Sequence, residues 1–211
     1  PSSQIIVFTE EEYISYAGCG EPYYISGHIP ARDALLARTP EQFASIYNVD
    51  VRTRHRVNEI NPQDKTIEVL NLSNQSTSKE PYDQLVIATG ASSVMPPVSG
   101  RELPGVFNLR SIPDTDAIRS HIDKGNVQEA IVVGAGFIGL EMVESLTERG
   151  IKVTLVERLP LPAPNFDPLI GMHIVNALEE KGVRVLCGSA LEEIIGSQQY
   201  GVRSVKVEGQ E

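Results

Sequence analysis

The clearest hydrophobic pattern in this chain lies over residues 130–157, AIVVGAGFIGLEMVESLTERGIKVTLVE. Its opening run, Ala130 to Val133, is unbroken and apolar, which reads as a strand buried on both faces. An amphipathic helix follows, and a second strand closes at Glu157. Downstream, Leu169, Ile170, Ile174 and Leu178 recur at helical spacing and predict a helix over residues 167–181. Residues 183–186 then read as a third parallel strand. Strand and helix alternating in this way predict a parallel sheet with helices packed on it.

The first half is patterned less regularly. Residues 4–8 (QIIVF) form a short apolar strand. Residues 31–48 read as one or two helices, with Thr39 as N-cap, Pro40 in the first helical position, and Phe43 and Ile46 on the apolar face. Residues 51–60 read as one strand, 61–65 as a turn and 66–71 as the returning strand of a hairpin. Residues 73–80 read as a polar loop, and 82–91 (YDQLVIATGA) as a buried strand running into a turn. Residues 92–105 are rich in Pro and Gly and read as a crossover between domains. Pro113 to Asp116 cap a helix that continues to about Lys124, with Ala117, Ile118 and Ile122 inward. The last stretch, from residue 198, reads as the second half of a hairpin.

Within the strongest block, Gly134, Gly136 and Gly139 fall in G-x-G-x-x-G spacing between strand and helix. An acidic residue, Glu157, ends the next strand about 20 residues on, which is the context that makes this motif specific for a dinucleotide. Gly134 allows the tight turn, Gly136 lets the backbone approach a pyrophosphate, and Gly139 lets helix and strand pack closely. The helix N-terminus then presents free N–H groups and a positive dipole end to the phosphates. A glycine-rich turn with no ligand is the plainer alternative. The carboxylate of Glu157 can accept hydrogen bonds from both ribose hydroxyls of NAD, whereas a 2′-phosphate would bring like charges together. At about 4 Å that repulsion is ~1 kcal/mol in water and ~4 kcal/mol at an intermediate dielectric, so NADH is expected over NADPH. Arg158, next in line, works against that preference.

Composition narrows the classes. The chain has 211 residues, 41% hydrophobic and 22% charged, ordinary for a soluble globular protein. Its net charge of −10 argues against nucleic acid and against anionic lipid as partners. No apolar run approaches the roughly 20 residues that span a bilayer. Two cysteines, Cys19 and Cys187, lie far apart without C-x-x-C spacing, which fits a reducing cytoplasm. His28, His55, His121 and His173 are scattered, so no metal site is expected. Arg52, Arg54 and Arg56 alternate along one predicted strand and read as a solvated edge, with a phosphate site as the alternative. The chain opens on Pro1 without a methionine and stops just after one strand, so it is expected to be a fragment.

The second informative stretch is residues 13–26, YISYAGCGEPYYIS. Gly18 and Gly20 flank Cys19, and Pro22 follows, a backbone suited to close approach rather than core packing. From spacing alone Cys19 is either an inert thiol or a reactive one. The run S-Y-A-G-C-G-E-P-Y-Y-I resembles the active-site segment of the single-cysteine flavoprotein disulfide reductases. That group includes coenzyme A-disulfide reductases, NADH-dependent persulfide reductases, NADH peroxidases and NADH oxidases. The resemblance covers essentially the whole chain.

It implies an α/β architecture of two Rossmann-like three-layer domains, both incomplete. Residues 1–112 would be a partial FAD-binding domain with the redox cysteine, and 113–211 an NAD(H)-binding domain truncated at its end. By the same resemblance Cys19 is catalytic and contacts the flavin, Ser15 helps to bind substrate, and Ala88, Thr89, Gly90, Ala91 and Arg110 neighbour FAD. Phe137 would gate the nicotinamide face and Glu141 line that pocket. Ile138, between them, joins the cofactor-binding set, and Phe166 would lie against the adenosine. Cys187 is read as structural.

The implied reaction moves a hydride from NADH to FAD and electrons on to the sulfur of Cys19. Residues 20–26 hold no second cysteine, so Cys19 must cycle through a mixed disulfide, a persulfide or a sulfenic acid. Residues 22–25 and 103–116 look more like the coenzyme A-disulfide and persulfide reductases than the oxygen- or peroxide-reducing members. Three departures stand against that pattern. Gly18 replaces a usual asparagine, and Tyr47 falls where some relatives carry a coenzyme A-contacting lysine. The family's first G-x-G-x-x-G, expected before Gln4, is absent, and the acid for the FAD ribose falls at Thr9, one position from Glu10. The fragment alone is therefore expected neither to hold FAD nor to turn over, and the intact protein is expected to be a homodimer. An NADH oxidase or peroxidase, and a non-catalytic NAD-binding fragment, are the alternatives.

Overall fold

The computed structural model describes residues 3–125 and 127–209. The first elements are β1 (Ile5–Phe8), α1 (Glu21–Ser26), α2 (Pro40–Tyr47), β2 (Val49–Arg52), β3 (His55–Asn61), β4 (Thr66–Asn71) and β5 (Thr77–Pro81). There follow α3 (Ile112–Lys124), β6 (Glu129–Val133), α4 (Phe137–Glu148) and β7 (Lys152–Glu157). The last are α5 (Pro168–Glu180), β8 (Arg184–Cys187), β9 (Leu191–Ser197) and β10 (Gly201–Val207). Short 3-10 turns cover Gly18–Gly20 and Arg32–Leu35. By contact, the chain forms two compact units. One joins the described residues up to Ala17 with Arg32–Ala91, and the other joins Gly18–Ala31 with the described residues from Ser92 onward.

In the first unit β1 and β2 pair in parallel, Ile5 opposite Val49, while β3, β4 and β5 form an antiparallel sheet. The middle strand β4 is the buried one, through Ile67 and Val69. α2 begins with a reciprocal cap. The Gln42 N–H donates to Thr39 Oγ1 at 3.4 Å and the Thr39 N–H to Gln42 Oε1 at 3.1 Å, satisfying donors the first helical turn leaves open. None of its residues is buried; the expected apolar face reduces to Phe43 tilted on Tyr47, ring centroids 5.5 Å apart.

Three expectations fail in this unit. The single strand over residues 51–60 is two strands, broken at Thr53 and Arg54, where Arg54 takes φ +55°. β2 pairs with β1, whereas β3 pairs with β4, so one straight strand could not serve both. The arginine alternation goes with it: Arg52 pairs with Asp50 and Glu80, Arg54 with Glu12, and Arg56 donates to Asn58. The loop expected at 73–80 contains the start of β5, whose polar residues hydrogen-bond along the free edge of β4. Finally, residues 85–90 carry no strand, and Val86 and Ile87 stand 85% and 67% exposed. Apolarity predicts burial, but a strand also needs a neighbour, and no described strand lies alongside these residues.

The second unit is built on β6, β7 and β8, parallel and in that order, with α4 and α5 as the crossovers. Contrary to expectation β6 is not a buried strand, since among the described residues it is the edge of this sheet and Ile131 and Val133 are exposed. α3 starts at Ile112, where the Asp114 carboxylate accepts from the Ser111 N–H at 3.0 Å and its hydroxyl at 2.7 Å. The core joins Ile118 of α3, Val143 and Leu146 of α4 and Leu155 of β7. Ile25 of α1, fully buried, belongs to the same cluster. β9 and β10 form an antiparallel hairpin, and the crossover stretch runs along it: the Ile194 N–H donates to Ser99 O and the Val202 N–H to Pro104 O, both at 2.9 Å. Among the described residues no helix is long and apolar enough to cross a membrane.

Candidate functional site

The glycine loop joins β6 to α4. Gly134 adopts φ +99°, a conformation glycine takes without strain, and its N–H donates to Val156 O at 2.8 Å. A Cβ on Gly139 would stand 1.9 Å from Gly134 O, so the helix lies against the loop at a distance only glycine permits. Gly136 is different. A Cβ there would meet nothing within 4 Å. It is the N-cap of α4, and no side chain caps the helix. An exposed glycine at an uncapped helix N-terminus leaves N–H donors and space for an anion, which fits a pyrophosphate.

Glu157, at the end of β7, braces this loop. Its Oε2 accepts from the Ala135 N–H at 2.6 Å, and its Oε1 from the Leu159 N–H at 2.7 Å. One carboxylate thus ties the glycine loop to the segment after β7. Each oxygen keeps a lone pair for a further donor such as a ribose hydroxyl. The same segment is fastened again by the Ala163 N–H, which donates to Ala135 O at 2.9 Å. It carries Phe166, whose ring meets that of Phe137 edge to face, centroids 5.8 Å apart. Both rings are largely exposed, as is Ile138, and Glu141 is half-buried.

Cys19 sits in the 3-10 turn immediately before α1, free and exposed. Glu21, two residues on, is 4% exposed, a buried acid that the sequence reading did not single out. Cys187, at the end of β8, lies opposite Glu157 in the sheet and lines a shallow cavity of about 200 Å³ with Leu161, Met172 and Val185. Burial, and then the Glu157 carboxylate, push its thiol up, so it stays protonated near neutral pH. Arg110 is exposed ahead of α3. Cys19, Arg110, the glycine loop, Glu157 and Phe166 all belong to the second unit, whereas Ser15 and Ala88 to Ala91 belong to the first. The Ser15 carbonyl accepts from the Ala37 N–H at 2.8 Å, and Ala88 to Ala91 are exposed.

The family model described as pyridine nucleotide-disulphide oxidoreductase matches residues 2–211. The chain belongs to that family. It therefore has the α/β fold of the FAD/NAD-binding oxidoreductases, a family that binds FAD and NAD(P)H. Among curated members, it is 36% identical over 207 residues to an NADH oxidase of Methanocaldococcus jannaschii, covering 98% of this chain and 46% of that protein. It is 34% identical over 206 residues to the coenzyme A disulfide reductase of Staphylococcus aureus, with the same coverage. Among solved structures, a NAD-dependent persulfide reductase from A. fulgidus superposes with a TM-score of 0.92 at 36% identity, covering 99% of this chain and 38% of that one. The chain thus spans about half the length of the curated relatives it matches, 46% in both cases.

Two features of the site were hidden in the sequence. The spacing of Glu157 from the glycines pointed to a ribose, but not to its backbone partners at Ala135 and Leu159. Backbone donors have no sequence signature. The contact between Phe137 and Phe166 is equally silent, because the loop between β7 and α5 must fold before the rings meet.

Proposed function

We propose that the protein is an NADH-dependent flavin oxidoreductase that reduces a small-molecule disulfide or persulfide through Cys19, with coenzyme A disulfide as the reference substrate. One observation carries this reading: an exposed, glycine-flanked cysteine belongs to the same compact unit as the dinucleotide cradle. The names of the relatives, two of them disulfide or persulfide reductases, support the substrate class.

In this mechanism Gly134, Gly136 and the α4 N-terminus hold the pyrophosphate, and Glu157 accepts the ribose hydroxyls. That same carboxylate repels a 2′-phosphate by ~1 to ~4 kcal/mol at about 4 Å, favouring NADH. Phe137 and Phe166 flank the bound dinucleotide, with Ile138 and Glu141 beside them. By the resemblance Ala88, Thr89, Gly90 and Ala91, and separately Arg110, would be neighbours of FAD in the intact protein, where the flavin would supply the relay for an electron pair between nicotinamide and sulfur.

The Cys19 thiolate attacks one sulfur of the substrate. The S–S bond breaks, a mixed disulfide forms, and the first thiol leaves with a proton. Two electrons, delivered ultimately by NADH, then cleave the mixed disulfide, and the second thiol leaves with a proton. Hydride transfer and one solvent proton balance the two thiols formed. Burial and the Glu157 carboxylate push the Cys187 thiol up, which disfavours it as a resolving thiolate.

The 36% identity to an NADH oxidase favours a second reading, in which Cys19 cycles through a sulfenic acid with peroxide or oxygen as the oxidant. Turnover of the full-length protein distinguishes the two. Coenzyme A disulfide or a persulfide should drive NADH oxidation, more slowly with NADPH, and Cys19→Ser should lower the rate on the order of 10³-fold while NADH binding persists. Undiminished disulfide turnover by that variant overturns the reading. NADH oxidation driven by oxygen or peroxide, and indifferent to disulfides, supports the second.

A further inference from the structure

α1, the helix that follows Cys19, is gripped at its far end. It has only six residues, too few to hold a helical shape alone. Its last carbonyls form the partially negative end of the helix, where cations are favoured. Two guanidinium groups cover them. Arg119 of α3 donates through Nη1 to Tyr24 O at 2.8 Å and to Ile29 O at 3.1 Å, and lies 4.1 Å from the centre of the Tyr24 ring. Arg149, the C-cap of α4, donates through Nη1 to Ile25 O at 3.2 Å. Asp123 of α3 lies between them, accepting from Arg149 Nη2 and pairing with Arg119 Nε at 3.5 Å.

Both guanidinium side chains are three-quarters or more buried, at 20% and 24% exposure. Desolvated hydrogen bonds from a charged donor are stronger than the exposed ion pairs elsewhere on this chain. α4 consequently serves two sites. Its N-terminus caps the glycine loop, and its C-terminal arginine holds the cysteine helix. Twelve residues at 1.5 Å rise make it about 18 Å long.

We propose that Arg119 and Arg149, bridged by Asp123, are positioning residues for Cys19. By fixing α1 to α3 and α4 they hold the preceding turn, and with it the sulfur, in register with the nucleotide cradle. The inference rests on Cys19 being the redox sulfur, as argued above. Neither arginine touches substrate or nucleotide in this role. Each acts through the backbone of α1.

The test uses the full-length protein with Arg119→Ala, Arg149→Ala, Arg119→Lys and, as a milder change, Asp123→Asn. Two readouts are taken: steady-state kinetics with NADH and a disulfide, and the rate of iodoacetamide labelling at Cys19 and Cys187, resolved by mass spectrometry. Each alanine variant should lower kcat about tenfold with KM for NADH unchanged, the equivalent of about 1.4 kcal/mol. Labelling of Cys19 should rise about fivefold as the turn loosens, while Cys187 stays slow. Asp123→Asn should do the same more weakly. Arg119→Lys should recover part of the kcat, because it keeps the charge near the carbonyl end of α1 but loses the planar stack on Tyr24 and the Nε contact with Asp123. Unchanged kcat and labelling in both alanine variants would overturn the proposal. So would Cys187 labelling rising in step with Cys19. Because labelling needs no turnover, it stands apart from the disulfide reaction: a Cys19→Ser variant that keeps full activity defeats the functional reading without altering this result.

Discussion

An alanine at Gly139 would place its Cβ 1.9 Å from Gly134 O, whereas one at Gly136, φ −75°, would meet nothing within 4 Å. The two substitutions should therefore fail in different ways. Gly139→Ala forces helix and loop apart, an overpacking cost of about 1–3 kcal/mol, and should lower the urea midpoint as well as NADH binding. Gly136→Ala should leave the midpoint within about 0.5 kcal/mol of the parent while weakening NADH about tenfold or more, because its methyl group fills the space left for the pyrophosphate. Equal losses of stability in both would contradict this division. At this scale much was legible. Glycine spacing and an acid at a strand end are visible in sequence because each residue type has a steric or charge reason to be there. Glu21 and the backbone partners of Glu157 were not, since burial and main-chain hydrogen bonds follow from packing.

Among the elements, helix starts were the most legible. Thr39 as N-cap and Pro40 in the first helical position start α2 as expected, and Gln42, not singled out in the sequence, completes the reciprocal cap. Thr39→Ala should cost about 1 kcal/mol in urea unfolding and leave NADH binding unchanged, since it removes one acceptor from the first turn of α2. A cost below about 0.2 kcal/mol would mean the cap is idle. Strands were less legible because their stability is held by neighbours. The apolar stretch ending at Thr89 has no strand beside it, while the polar β5 is a strand because the buried β4 offers it an edge. The break at Thr53 and Arg54 likewise follows from two different partners, which no local pattern announces.

For the whole molecule, the parallel half could be read because local propensity, periodicity and glycine placement all agree there. The cysteine helix could not: its seat in the second unit depends on Arg119 and Arg149, 95 and 124 positions from the carbonyls they bind. That long-range cluster also carries a pH dependence. The Arg149 hydrogen bond, together with the charges of Arg149 and Arg119, holds the Asp123 carboxyl below the usual carboxylate range. Its contribution is fully present above the unfolded value of about 3.9 and is lost as pH falls through the lower folded value. The side chain is 45% exposed, so the effect is at most about 1 kcal/mol. Urea midpoints at pH 7 and pH 3 should differ less for Asp123→Asn than for the parent. An equal difference would place the acid sensitivity elsewhere.

The strand β6 has a practical consequence of another kind. Parallel sheets ordinarily hide both faces, yet Ile131 and Val133 stand 40% and 48% exposed on β6. A chain with that apolar strip should light up an environment-sensitive dye such as ANS while every helix and strand is intact, a signal usually taken as the mark of a molten globule. Near-ultraviolet circular dichroism that melts cooperatively alongside a bright starting fluorescence would identify the glow as a property of these 211 residues in their folded state, and dye-based melting curves of this stretch should be read against that background.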